Sequence, residues 1–515
     1  MTSQRWRPSM GTSALFPWLL RIHDEGVNTV VQRGSGRKIR EDVPDPVQVA
    51  TVPLFASDLN ASDALLWSIE KDPCLRSTIV AISVLDRSPD WQRLALRITG
   101  ACDLIPRLRQ RVVATPLRLG PPKWQFDEYF DINYHLRRVV APEPGDIRSV
   151  LDIAGLMAMT AFDKDRPLWE FTLVEGLTDG RAAFIQKVHH SFTDGVGGVK
   201  LAKLLLDEKR NPGMRKTDSH PADPRHTNGL ASVAESLAAD VRTAAAASVR
   251  GAQALPGVVT RAVTNPAGLL STTARELRSI GKLVAPVTKP LSPIMTHRGL
   301  SRRLDTFDIP LDSLLAAAHA ADSTLNDAFL AGVAGGMRRY HERHDAPVSA
   351  LRVTMPINVR RSGDRPGSNR FTPARFTLPV STVDASDRMR QLGQLARRWR
   401  TEPSVKRSDL VAGVLNRLPA LAATLILGSM LKAIDFVATN VPGLNRRSYL
   451  AGAEVVREYA FAPPSGAAFS VALMSHVDQC CVGINADTSA VPDPEVLATC
   501  LREGFDEVLA VGRKS

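Results

Sequence analysis

Lys187-Val188-His189-His190-Ser191-Phe192-Thr193-Asp194-Gly195 is the stretch on which the reading of this chain turns. Upstream, Ala182–Val188 is apolar except for Gln186 and Lys187, the composition of a largely buried strand. Gly176–Arg181 reads as the turn of a hairpin, and the strand before it runs through Trp169-Glu-Phe-Thr-Leu-Val174. Downstream, Gly195, Gly197 and Gly198 let the backbone turn sharply into Val199–Leu206, which reads as a helix. Two imidazoles therefore stand where a central strand runs out into a small-residue loop. Such a junction suits a general base carried on a rigid element.

The chemistry that fits is acyl transfer to an alcohol. A hydroxyl is a weak nucleophile until a base takes its proton, and a neutral histidine is suited to that task near neutral pH. General-base catalysis contributes about 10²–10⁴ in rate. His190 is the candidate base, and His189 either packs behind it or holds the loop. Asp194 has two available roles, accepting from an imidazole or fixing the loop by pairing with a distant arginine. The adjacent Gly195 and the Gly197-Gly198 pair favour the loop-fixing role.

Competing readings of the same residues are weaker. No carboxylate or cysteine completes a metal shell around the histidine pair. Ser191 lacks the G-x-S-x-G setting of a nucleophilic serine. His341-Glu-Arg-His344 has histidines three apart in a polar stretch after a helix, and it is expected to be a solvated helix end.

The chain has 515 residues, 44% of them apolar, enough for two large α/β domains at roughly 150 residues or more each. Its 65 basic and 53 acidic residues leave a net charge of +12. That balance favours an anionic partner, whether a phosphorylated cofactor, an anionic membrane face or nucleic acid, and does not choose among them. The five cysteines are odd in number and lack C-x-x-C spacing, which argues against a disulfide framework and for a reducing compartment. No secretory signal stands out, and Leu15–Ile22 is far too short to span a membrane. The expected location is cytoplasmic, with peripheral attachment to the inner membrane or to lipid droplets as an option.

Residues 1–52 read as a flexible extension. A first lobe is expected over 53–211, with a helix through Asp63–Glu70 capped by Ser62, a strand over Thr78–Leu85 and helices over Trp91–Ala101 and Ser149–Phe162. Residues 212–302 form a basic, Ala-rich helical crossover. Between 230 and 303 there are ten Arg/Lys and three Asp/Glu, a net +7. This segment is read either as a solvated connection or as a surface for an anionic membrane or droplet. It has no aromatic interleaving, so nucleic acid is not an expected partner. A second lobe, 303–515, again mixes strands with helices, among them Leu311–Ala320 and an apolar helix opened by Thr324-Leu-Asn-Asp327. The fold class is α/β: two related lobes with a cleft between them.

With these motifs in order, the chain resembles the bacterial wax ester synthase/acyl-CoA:diacylglycerol acyltransferase family. HHxxxDG is present as His189–Gly195, and Pro167-Leu168-Trp169 matches the family's PLW element. Asn326-Asp327 matches its ND element. Pro356-Ile-Asn-Val-Arg360 and Asn369-Arg370-Phe371 are similar to its PVSVR and GNRF regions, with Ser368 in place of the usual glycine. Thr439-Asn440-Val441-Pro442-Gly443 is similar to its SNVPG element, the threonine keeping the hydroxyl. The likeness spans about residues 55–510.

The resemblance implies two chloramphenicol-acetyltransferase-like, CoA-dependent acyltransferase lobes with the active site in a tunnel at their interface. Long-chain acyl-CoA is then a co-substrate, with no bound cofactor and no metal. The acceptor is diacylglycerol or a long-chain alcohol, and the products are triacylglycerol or wax ester and free CoA. It puts the essential base at His190 and the aspartate at Asp194. Asn326, Thr439 and Asn440 become candidate oxyanion donors from the other lobe. The alternative is that Asn326 caps its helix and Asn440 fixes a turn. Pro167, Leu168, Trp169, Arg360 and Arg370 are expected near substrate, the arginines meeting CoA phosphates or orienting the lobe. A non-catalytic lipid-binding protein and an acyltransferase with a smaller acceptor remain as alternatives.

Overall fold

The computed structural model describes residues 59–114, 122–192, 204–212, 289–358, 371–401 and 420–513. The expectations for residues 1–52, for most of the basic crossover, for Val199–Lys203, and for Asp194, Gly195, Arg360 and Arg370 fall outside them.

In chain order the first half supplies α1 (Ala61–Ile69), β1 (Thr78–Leu85), α2 (Trp91–Leu104), β2 (Gln110–Val113), β3 (Lys123–Phe126), α3 (Ile132–His135), β4 (Leu136–Val140), α4 (Ile147–Met159), β5 (Trp169–Glu175) and β6 (Ala182–His189). The second half supplies β7 (Arg302–Pro310), α5 (Leu311–Ala320), α6 (Leu325–Arg343), β8 (Ala350–Asn358), β9 (Phe371–Pro379), α7 (Ala385–Thr401), α8 (Ala420–Lys432), β10 (Phe436–Val441), β11 (Tyr449–Leu450), β12 (Ala453–Phe461), β13 (Phe469–His476), β14 (Gln479–Asp487) and α9 (Pro494–Gly512). Helix α1 starts two residues before the expected Asp63, because the Asn60 side chain caps it by accepting from the Asp63 N–H.

Two six-stranded sheets organise these elements. The first runs β11-β12-β1-β6-β5-β4 and the second β7-β14-β13-β10-β8-β9. Strand β12 lies late in the chain yet pairs antiparallel with β1, Val80 opposite Phe461 and Ser83 opposite Glu458. The first sheet is thus completed by a strand from the C-terminal half, which sequence patterning did not bring out. One face of this sheet packs Trp169, Phe171 and Phe184 against Leu94 and Ile98 of α2. The other face packs Val80, Ile82 and Ile185 against Val150 and Ala154 of α4, together with Leu304 of β7 and Cys481 of β14. That face is the seam between the sheets.

The second sheet carries its helices on one side. Thr324 and Asp327 cap α6 reciprocally, the Thr324 hydroxyl accepting from Asp327 N–H and the Asp327 carboxylate from Thr324 N–H. Helices α6 and α9 approach through glycines: a β-carbon on Gly504 would stand 2.2 Å from the Gly336 nitrogen. Phe329, Val333, Phe436, Val471, Leu497 and Phe505 are fully or almost fully buried between helices and sheet. Each such side chain stabilises the fold by roughly 1.5–3 kcal/mol relative to exposure.

The expectation for His341 is overturned. It is buried within α6; its Nδ1–H donates to the Met337 carbonyl at 2.8 Å, and its Nε2 accepts from the Ser292 hydroxyl at 2.8 Å. The neighbouring Glu342 and Arg343 lend polarity to the stretch, but the helical turn carries position 341 to the inner face.

Polar contacts clasp the sheets along the seam. Arg457 pairs with Asp308 at 2.7 Å, and the Tyr459 hydroxyl donates to the same carboxylate at 2.9 Å. Arg148 of α4 donates to the Leu304 carbonyl at 2.7 Å, and Lys432 reaches Asp72 at 2.6 Å. Where β14 passes β12 the backbones nearly touch: a β-carbon on Gly483 would lie 2.2 Å from the Ala460 oxygen.

Candidate active site

Strand β6 is central in the first sheet, paired with β1 and β5, and ends at His189. The chain then turns. Phe192 N–H donates to the His189 carbonyl at 2.9 Å, which places His190 and Ser191 at the tip. Phe192 is buried in the first sheet's core and anchors the far side of the turn. His190 itself is half-buried, and its N–H donates to the Ser77 carbonyl at 2.8 Å, prolonging the β1–β6 ladder by one residue.

The two histidines have different environments. His189 is fully buried, edge-on to Trp67 and Phe162. Ser191 donates to its Nδ1 twice, from the backbone N–H at 3.1 Å and from the hydroxyl at 2.6 Å. A backbone N–H only donates, so Nδ1 is the bare nitrogen and the ring hydrogen sits on Nε2. Nε2–H donates to Glu70 Oε1 at 2.8 Å. The same oxygen accepts from Ser77 N–H at 2.7 Å. Burial alone would raise the Glu70 carboxyl. Hydrogen bonds from His189 and Ser77 and the charge of Lys164 oppose it, and the group is held below the usual carboxylate range.

The Pro167-Leu168-Trp169 element supports this junction from within. All three residues are buried, Leu168 and Trp169 completely. The Leu168 carbonyl accepts from His189 N–H at 3.0 Å. Trp169 Nε1–H donates to the Leu108 carbonyl at 2.8 Å, and its ring stacks on His135 at 4.6 Å. These contacts make the element a core buttress of the strand end. The sequence expectation placed these three residues near substrate; in the structure they are committed to the core behind the strand end. Next to it, Lys187 and Glu170 form a buried pair at 3.1 Å, with Lys187 over the Phe162 ring. Burial lowers the Lys187 ammonium, and Glu170 offsets part of that.

In the second sheet β10 pairs with β13 along its whole length, but with β8 only at Phe436 and Val437 among the described residues. Strand β8 continues with β9, so the sheet forks beside Ala438–Val441. Thr439 and Asn440 stand at this fork on opposite faces. Thr439 shares the face of Val441, which packs with Ala460 of β12 and with Ala472 and Met474. Asn440 shares the face of Phe436 and Ala438, whose side chains pack in the core with α6. Asn326 stands in the first turn of α6. Its helix is capped by Thr324, and its Nδ2 is buried with no hydrogen-bond partner among the described residues. The capping alternative for Asn326 is therefore set aside.

A pocket opens at the seam, lined by Arg76, Thr78, Met159, Arg302, Pro464 and Asn485 among others. Thr78 is the register partner of His189, so the pocket adjoins the end of β6. Sequence reasoning missed Glu70. Its signal was an acid directly after a helix C-terminus, where the helix dipole disfavours negative charge and a dedicated partner is to be expected.

A strand end that carries two histidines beside a seam between two α/β layers fits an acyltransferase of the CoA-dependent type. Comparison with known proteins carries this to the family. The wax ester synthase/diacylglycerol acyltransferase catalytic domain matches residues 59–329, and the WS/DGAT C-terminal domain matches residues 367–508. The chain belongs to the wax ester synthase/diacylglycerol acyltransferase family. It is 37% identical over 464 residues to a putative diacylglycerol O-acyltransferase of Mycobacterium tuberculosis (strain ATCC 25618 / H37Rv), covering 89% of this chain and 93% of the relative. A probable diacylglycerol O-acyltransferase of Mycobacterium tuberculosis (strain CDC 1551 / Oshkosh) is 26% identical over 450 residues, 85% and 92% of the two chains. In fold it is similar to the wax ester synthase/diacylglycerol acyltransferase from Marinobacter aquaeolei VT8. The TM-score there is 0.59 at 24% identity, over 89% of this chain and 100% of that one. The first condensation domain of the calcium-dependent antibiotic synthetase shares the fold at TM-score 0.54 and 14% identity, over 88% and 96%.

The chain is therefore a two-domain, acyl-CoA-dependent acyltransferase that moves a long-chain acyl group to a lipid acceptor. Among the described residues no helix is long and apolar enough to cross a membrane.

Proposed function

We propose that this enzyme esterifies diacylglycerol with long-chain acyl-CoA, and fatty alcohols as secondary acceptors, with His190 as general base. The observation that carries the assignment is the difference between the adjacent imidazoles. His189 has both nitrogens engaged in the protein core, whereas His190 is half-buried at the tip of the turn. His190 takes the acceptor's hydroxyl proton as the oxygen attacks the thioester carbonyl carbon. The C–S bond then breaks, and the departing sulfur receives that proton from the imidazolium, leaving ester and CoA. Asn326 Nδ2 and the Thr439 hydroxyl are the donors assigned to the oxyanion. A buried donor with no partner is suited to a charge that exists only during reaction. Asp194 keeps the loop-fixing role expected of it from sequence.

In this reading the two sheets are chloramphenicol-acetyltransferase-like lobes, and the reacting groups meet in a passage between them. The pocket beside Thr78 and the fork at β10 support such a passage. Arg360 and Arg370 are the candidates for meeting the CoA phosphates. The net +7 of residues 230–303 suits peripheral attachment to an anionic membrane or droplet surface, where both lipid substrates reside.

The test uses purified protein, labelled palmitoyl-CoA and dioleoylglycerol, scoring CoA release and triacylglycerol together. Wild type makes both, and H190A falls by at least about 10³-fold while keeping wild-type secondary structure. A folded protein that releases no CoA with any diacylglycerol or long-chain alcohol refutes the function. Undiminished turnover by H190A refutes the base.

A further inference from the structure

Glu70 is 119 residues from His189 in sequence, yet it stands behind the catalytic turn with its side chain only 9% exposed. One of its oxygens serves both strands that frame His190. Through Ser77 N–H it holds the residue whose carbonyl takes the His190 N–H. Through His189 Nε2–H it holds the ring whose Nδ1 takes both donors of Ser191. The residues on either side of position 190 are thereby tied back to a single carboxylate.

The tautomer is the pivot of this arrangement. An Nδ1–H form of His189 would point a hydrogen at the Ser191 N–H and leave two N–H groups facing each other. An Nε2–H form needs an acceptor at Nε2, and Glu70 is the acceptor present. Trp67 and Phe162 wall the ring, so water does not replace it at low cost.

We infer that Glu70 is a positioning residue for the transfer reaction: it selects the Nε2–H tautomer of His189 and so shapes the turn that presents His190. The assignment rests on the reading of His190 as base. It goes beyond that reading by giving the neighbouring histidine a defined protonation and Glu70 a role in turnover without contact with substrate.

The full-length enzyme, labelled with ¹⁵N-histidine, tests it by two readouts. Ring-nitrogen shifts report the His189 tautomer, with the resonance assigned by its loss in H189N. Turnover of palmitoyl-CoA with dioleoylglycerol reports kcat and KM. In wild type His189 is expected to be wholly Nε2–H. In E70A it becomes a mixture, kcat falls by about 10–100-fold and KM for palmitoyl-CoA stays within about twofold, as for a displaced base rather than a lost binding contact. E70Q keeps an oxygen for both donors and is expected to recover at least about tenfold of the E70A loss. If E70A does not fold, E70D, whose carboxylate is withdrawn by one methylene, is put through both measurements with the E70A expectations.

An unchanged tautomer in E70A overturns the inference, as does a kcat within about threefold of wild type, or a loss confined to KM. H190A separates the two claims. It is expected to lose turnover with the His189 tautomer intact. Turnover in H190A counts against the base alone, whereas the tautomer in E70A judges Glu70 whatever H190A does.

Discussion

Replacing Glu458 by glutamine should stabilise the protein at alkaline pH and leave it nearly unchanged at acid pH. Glu458 lies on β12, opposite Ser83 of β1, and is 5% exposed. Its carboxylate is 3.8 Å from His476 Nδ1, too far for a hydrogen bond. Burial pushes the carboxyl up to about 7 from an ordinary 4.5. A raised carboxyl favours the protonated folded state. That contribution is whole below the unfolded value, falls away as pH climbs from 4.5 towards 7, and is gone above it. The difference of 2.5 units, at about 1.36 kcal/mol each, comes to about 3 kcal/mol. His476, lowered chiefly by burial, contributes a slope of the opposite sign on the acid side. It is present in both proteins and largely cancels from their difference. Urea unfolding from pH 4.5 to 8.5 should therefore give an E458Q advantage that grows from near zero to about 3 kcal/mol. Stability curves that run parallel within about 0.5 kcal/mol would show that the carboxyl is not held neutral, and the desolvation argument would fail.

Other outcomes are as direct. G483A should lose stability at or above the upper end of about 1–3 kcal/mol, read by denaturant midpoint, because its β-carbon would overlap the Ala460 carbonyl. N326D, nearly isosteric but without the amide donor, should lower kcat by about 10²–10³ with little change in Tm, since Thr324 keeps the helix cap. T439V should lose turnover by at least about tenfold while T439S keeps most of it, as measured by CoA release. W169F should destabilise by about 1–3 kcal/mol through the stranded Leu108 carbonyl, with KM for acyl-CoA unchanged.

Much of the framework was legible wherever the deciding interactions are local. Thr78–Leu85 and Leu311–Ala320 form as their patterns predict, and the Thr324/Asp327 capping box lies within four residues. Strand β12 was not legible. Its Arg457 and Glu458 interrupt the apolar pattern, and its partner β1 is some 370 positions away, so no local period betrays it. Strand β4 is short and mostly exposed. Trp169 was placed near substrate on the family resemblance alone. Its indole hydrogen bond to a carbonyl 61 residues away decides for the core.

The histidine pair was conspicuous in sequence, with His190 named as base and His189 as support, but the partners that hold His189 were not legible. Adjacent residues at a strand end are chemically equivalent until their partners are known, and those partners come from α1, from the start of β1 and from the turn itself. The pair also explains why the site sits at this strand end. Strand β6 lies between β1 and β5, and β1 in turn pairs with β12, the strand threaded in from the other half of the chain. The base proposed for this strand end thus stands in a sheet that both halves of the chain complete. Damage to the seam contacts of β12 should then reach turnover before it reaches overall folding. The Asp308 clasp on Arg457 and Tyr459 is where that coupling is most exposed to mutation.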